Sequence, residues 1–128
     1  MSNKFTVEII SPDQSIIKLE TIEVVVPSFE GQMGILKDHI PLITFLRPGI
    51  ISIKNSDEKK YFVEEGTVEF SKNNLLILSS SAKDLSSLSK KFINEMLGQA
   101  ESKFQENNLS DKEKYLASYK INTLKEIN

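Results

Sequence analysis

The chain has 128 residues, with no cysteine or tryptophan, a single histidine and a single arginine. Without cysteine, neither a disulfide nor thiolate chemistry is available, which fits a reducing, intracellular compartment. No apolar run approaches the roughly 20 residues that a membrane-spanning helix needs. The opening MSNKFTVEII lacks the charged region, apolar block and cleavage site of a signal peptide. A formal net charge of −2 argues against a nucleic-acid partner, which calls for a basic face. With one imidazole, a metal site or a Ser-His-Asp triad would hang entirely on His39. Neighbouring Asp38 would point to the opposite face of any strand the two shared, so His39 reads as a contact or capping residue. Gly31 and Gly34 are not followed by the Gly-Lys-Ser/Thr of a phosphate loop. No catalytic residue, cofactor or metal ion is therefore expected.

What is present divides at about residue 82. Hydrophobic residues make up 39% of the chain, enough for a real core. Before the divide, Phe5, Val7 and Ile9 alternate with polar residues, and Ile22, Val24 and Val26 do the same until Pro27 ends the run. Further strands are predicted over residues 42–46, 50–54, 61–64, 68–70 and 75–78. Ser11-Pro12-Asp13, Asn55-Ser56-Asp57 and Lys72-Asn73-Asn74 supply turns between them. About eight short strands with regular turns predict an antiparallel β-sandwich or barrel. After the divide, Leu85, Leu88, Phe92, Met96, Ala100 and Phe104 recur at helical spacing, with Asp84 or Ser86 as the cap. Asn107-Asn108-Leu109 breaks that helix, and Ser110 with Glu113 forms a capping box for another. Leu116, Tyr119, Thr123, Leu124 and Ile127 make its stripe. The two helices predict an antiparallel hairpin, giving domains at 1–82 and 83–128. Residues 1–82 carry 8 basic and 11 acidic side chains, and residues 83–128 carry 8 basic and 7 acidic. Lys112, Lys114, Lys120 and Lys125 suit either a solvated face or docking on an acidic partner.

Residues 30–49, EGQMGILKDHIPLITFLRPG, are the most specific stretch. Gly31 and Gly34 suit a sharp reversal into a strand. Pro41 fixes φ at the start of another, and Pro48-Gly49 marks the next turn. This string resembles the hallmark of the epsilon subunit of F-type rotary ATP synthases (delta in mitochondria), close to EGE-(Met/Leu)-GI-x-PGHAPLL-x-x-LxPG. Glu65-Gly66-Thr67-Val68-Glu69-Phe70 is similar to that family's Gly-Gly-x-x-Glu-Val strand pair, and residues 75–82 to the strand that follows.

The resemblance implies a sandwich of about ten strands followed by the hairpin. It implies a rotor subunit at the foot of the central stalk, bound to the gamma subunit and resting on the c-ring. Carried over residue by residue, the c-ring side is Glu30, Gln32 and His39. Val24 to Val26 and Leu42 to Leu46 are the candidates for the gamma face. The family hairpin can extend toward the alpha/beta catalytic hexamer and block ATP hydrolysis, and the four lysines of helix two would make that contact. Where some relatives carry an (Ile/Leu)-Asp-x-x-Arg-Ala nucleotide motif, this chain has Leu85-Ser86-Ser87-Leu88-Ser89-Lys90. Asp and Arg are both missing, and arginine is the better phosphate clamp, so strong ATP binding is not expected. The implied location is peripheral, on the cytoplasmic face of a bacterial inner membrane. A small β-sandwich ligand-binding or sensor module is the alternative, favoured by a deep apolar pocket with converging polar groups.

Overall fold

A computed structural model describes residues 3–128. Ten strands precede two helices: β1 (Phe5–Ile10), β2 (Ser15–Thr21), β3 (Glu23–Ser28), β4 (Gly31–Leu36), β5 (Leu42–Leu46), β6 (Gly49–Lys54), β7 (Glu58–Val63), β8 (Gly66–Ser71), β9 (Asn74–Leu78), β10 (Lys83–Asp84), α1 (Lys90–Phe104) and α2 (Asp111–Ile127). The sheet runs β10-β7-β6-β3-β5-β8-β9-β1-β2, with β4 paired to β3. It folds over at β3, whose Glu23 to Val25 pair with β6 while Ser28 pairs with Leu46 of β5. One layer is thus β4-β3-β6-β7-β10 and the other β5-β8-β9-β1-β2. Every pairing is antiparallel except β1 with β9, which is parallel.

Alternation makes the core. Val7, Ile9, Val68, Phe70, Leu75 and Ile77 of one layer meet Val24, Val26, Ile35, Ile51, Ile53 and Val63 of the other, all essentially buried. Each such side chain contributes about 1.5–3 kcal/mol of transfer free energy. β8 and β9 are joined by Lys72 and Asn73, both at positive φ (52° and 60°), as a two-residue hairpin of the favoured twist demands.

Several elements depart from the sequence pattern. Pro27 does not end β3, because pairing to β6 has already stopped at Val25 and no ladder donor is lost there. The reversal before β4 lies at Phe29-Glu30; Gly31, with φ of 114°, completes it, and Gly34 sits within the strand opposite Val25. β2 and β10 were absent from the eight strands expected by pattern, and β4 starts at Gly31 rather than after Gly34.

The helical stripe also starts later than expected. Asp84 caps only a short 3-10 turn over Leu85–Ser87, and Ser89 caps α1 by accepting from the Phe92 N–H. Leu85 and Leu88 therefore precede the helix. Its buried face is Ile93, Met96 and Ala100, whereas Phe92 and Phe104 are exposed. That face and Leu124 of α2 close over Phe62 and Ile50, on the outer side of β7 and β6. The Ser110–Glu113 capping box forms as expected.

Candidate functional site

In β5 the inward positions are Thr44 and Leu46, which are buried, and the half-buried Leu42. The outward ones, Ile43 and Phe45, are 73% and 59% exposed. Strand register extends this bare face: Phe45 lies opposite Thr67, Thr67 opposite Leu78, and Leu78 beside Ile10. Together they line a groove of about 1220 Å³ on the outside of the sheet, with Glu64 and Glu65 on its rim and Phe29, Lys112 and Leu116 also lining it. The space between the layers is filled by side chains, so the groove is a surface feature of one layer.

Beside the groove, α2 is seated by a ladder of rings. Phe29 stacks on Tyr115 at 5.7 Å, Tyr115 meets Tyr119 edge-on at 4.8 Å, and Tyr119 lies over the Arg47 guanidinium at 3.9 Å. Arg47 is buried; its Nη1 donates to the Pro48 carbonyl, and its Nε has no hydrogen-bond partner. Such a cation–ring contact stabilises by about 0.5–2 kcal/mol. Lys120 adds an ion pair to Glu64 at 2.6 Å; both groups are partly exposed, so it contributes under about 1 kcal/mol.

The residues singled out from sequence fall in different places. Glu30 and Gln32 are exposed at the β3–β4 hairpin. His39 is at the other end of β4, and six extended residues put about 20 Å between those ends. His39 is half-buried and packs edge-on against Phe70; its Nδ1 donates to the Ile40 carbonyl at 2.7 Å. Its loop is fastened by Asp38 and Asn73, whose side chains and backbone exchange two hydrogen bonds. Val24 and Val26 face the core and cannot serve as a docking face. Of the four lysines, Lys120 pairs with Glu64, Lys125 approaches Glu101 at 4.0 Å, Lys112 lines the groove and Lys114 is exposed. The aromatic ladder was not expected, and no local pattern signals it, because it joins residues from positions 29, 47 and 115–119. Among the described residues no three His, Asp or Glu side chains converge on a metal position. Among the described residues no helix is long and apolar enough to cross a membrane.

Comparison with known proteins places this architecture. Residues 4–84 match the family described as ATP synthase, Delta/Epsilon chain, beta-sandwich domain. The chain is 48% identical over 130 aligned positions to the ATP synthase epsilon chain of Pelagibacter ubique, covering 100% of both. It is 36% identical to the epsilon chain of Dichelobacter nodosus, covering 79% of this chain and 72% of that one. It is also 36% identical to the mitochondrial ATP synthase subunit delta of Schizosaccharomyces pombe, covering 75% and 60%. Among solved structures, a chain of the Euglena gracilis mitochondrial ATP synthase (OSCP/F1/c-ring) superposes with a TM-score of 0.76 at 17% identity, covering 98% of this chain and 79% of that one. One of the Tetrahymena thermophila central stalk and c-ring gives 0.63 at 14%, covering 94% and 93%. With its sandwich matched by the family model and its full length matched at 48% identity, the chain belongs to the delta/epsilon family of ATP synthase subunits.

Proposed function

We propose that this chain is a central-stalk rotor subunit of a proton-translocating ATP synthase. It couples c-ring rotation to ATP synthesis through the gamma subunit and carries no catalysis of its own. The observation that supports this best is the bare apolar face of Ile43, Phe45 and Leu78, exposed by 73%, 59% and 44%. Apolar side chains contiguous on one sheet face and rimmed by carboxylates mark a protein-contact surface. Gamma is its occupant in this reading. Glu30 and Gln32 on the β3–β4 hairpin, and His39 at the opposite end of β4, contact the loops of the c-ring. The chain acts as two units, residues 1–82 and 83–128. When the second unit lifts away, its lysines meet the alpha/beta hexamer and restrain ATP hydrolysis. The subunit sits peripherally, at the cytoplasmic face of a bacterial inner membrane.

The test is recovery of the complex from mildly solubilised membranes on tagged chain. Wild type should bring down gamma, the c-ring and the catalytic hexamer in fixed ratio. Ile43→Asp, at an exposed position that leaves the core intact, should lose gamma, while Gln32→Lys, outside the groove lining, should weaken only the c-ring. Equal recovery with all variants would remove both contact assignments.

A further inference from the structure

We propose that α2, in its docked position, is one wall of the seat that receives gamma, so that gamma binding and hairpin docking strengthen each other. This rests on the gamma-docking reading above. The groove has two origins. Its floor is sheet, Phe45 and Leu78, and one side is helix, with Lys112 and Leu116 of α2. A ridge lying on Phe45 and Leu78 therefore also touches Leu116, and if α2 leaves, that contact leaves with it.

Two sandwich residues join groove and helix seat. Phe29 lines the groove and stacks on Tyr115. Glu64 lines the groove and pairs with Lys120. An occupant that packs against Phe29 and leaves Glu64 to Lys120 gains most when α2 is in place. The rim charges define it further: Glu65 on the sandwich side and Lys112 on the helix side. The occupant is thus an apolar ridge of gamma, with a basic side chain toward Glu65 and an acidic one toward Lys112.

Coupling between two binding events is reciprocal. If docked α2 tightens gamma binding by some factor, bound gamma favours the docked hairpin by that factor. Lys112 held against gamma is also unavailable to the hexamer, so an occupied seat opposes extension of the hairpin.

Three full-length variants, titrated against the alpha/beta/gamma complex lacking this subunit, test the idea. Leu116→Asp alters the helix wall. Tyr119→Ala loosens α2 from Arg47 without touching the groove lining. Ile43→Asp alters the exposed sheet face. Leu116→Asp and Tyr119→Ala should each weaken binding about five- to twentyfold. In wild type, amide exchange across α2 should slow by a comparable factor once the complex is bound. Ile43→Asp should cost about thirtyfold or more, as a central contact does. If Ile43→Asp abolishes binding while both α2 variants bind like wild type and α2 exchange is unchanged, the coupling is overturned and the docking reading stands. If Ile43→Asp binds normally, the docking reading falls and the coupling with it.

Discussion

Arg47 is the single arginine, and it sits where a lysine would serve poorly. Its guanidinium carbon lies 3.9 Å from the Tyr119 ring centre while Nη1 reaches the Pro48 carbonyl, a pair of contacts that a compact ammonium does not reproduce. Gly66 is constrained in another way. Its φ is +152°, and a Cβ there would lie 2.4 Å from the Leu78 carbonyl oxygen and 3.0 Å from Leu46 Cδ1. Gly66→Ala should therefore lower stability by about 2–4 kcal/mol, combining backbone strain with overpacking, read as a shift in the urea midpoint. A midpoint within error of wild type would mean the β7–β8 turn can relax. Both residues look ordinary in sequence, because their constraints come from neighbours distant along the chain. The bare face was more legible. Four of the five residues over Leu42–Leu46 are apolar, so β5 must be apolar on both sides. One side fills the core, and the other, Ile43 and Phe45, is left outside.

At the scale of elements, alternation found the strands buried on one face and failed where that pattern is blurred. β2 carries Ile16 and Ile17 side by side, both half-buried, and its register with β1 shifts at Ile9/Ile10. β4 was expected only past its glycines although it begins at Gly31, and the parallel pairing of β1 with β9 has no local signature. Leu85 and Leu88 have helical spacing, but Asp84 and Ser89 each start a separate turn and split the stripe. The capping box of α2 was readable because all its parts lie within four residues. Ser110→Ala should destabilise α2 by about 1 kcal/mol. The Glu113 carboxyl is held below its usual value, chiefly by the Ser110 backbone N–H and then by the Ser110 hydroxyl. A depressed carboxyl stabilises the fold above its unfolded value, near 4.5, and that contribution is lost as pH falls through the lowered folded value. The first turn of α2 should hence fray as pH drops from about 5 toward 3. Amide exchange at residues 111–114 reports it, and Glu113→Gln should flatten the pH response. A response equally steep in Glu113→Gln would assign the fraying to another group.

The described residues hold two apolar clusters of unequal size. The sandwich has fifteen buried side chains and the helical seat five, Phe62, Ile93, Met96, Ala100 and Leu124. Regions with less buried apolar contact open at lower free energy than the core, so the hairpin should detach before the sandwich unfolds. Phe62 is the strand residue of the smaller cluster. It is fully buried, yet it points outward from β7, toward the helices, while Tyr61 and Val63 face the core. Phe62→Ala should cost about 3–5 kcal/mol, taken almost wholly from hairpin docking, because the interior of the sandwich keeps its packing. Exchange should then quicken throughout α1 and α2 while β6, β8 and β9 remain protected. A single loss of protection across strands and helices together would instead make the molecule one cooperative unit. The same variant reaches function. Released helices are free to carry Lys112, Lys114, Lys120 and Lys125 away from the sandwich, with Lys120 leaving its ion pair with Glu64 while Lys125 keeps its approach to Glu101 within the hairpin. Added in excess to an alpha/beta/gamma complex, Phe62→Ala should depress ATP hydrolysis below the level set by wild type. Equal activity with both proteins, at equal occupancy, would mean that an unfastened hairpin does not inhibit, and the lysines of α2 would then serve only to hold it down.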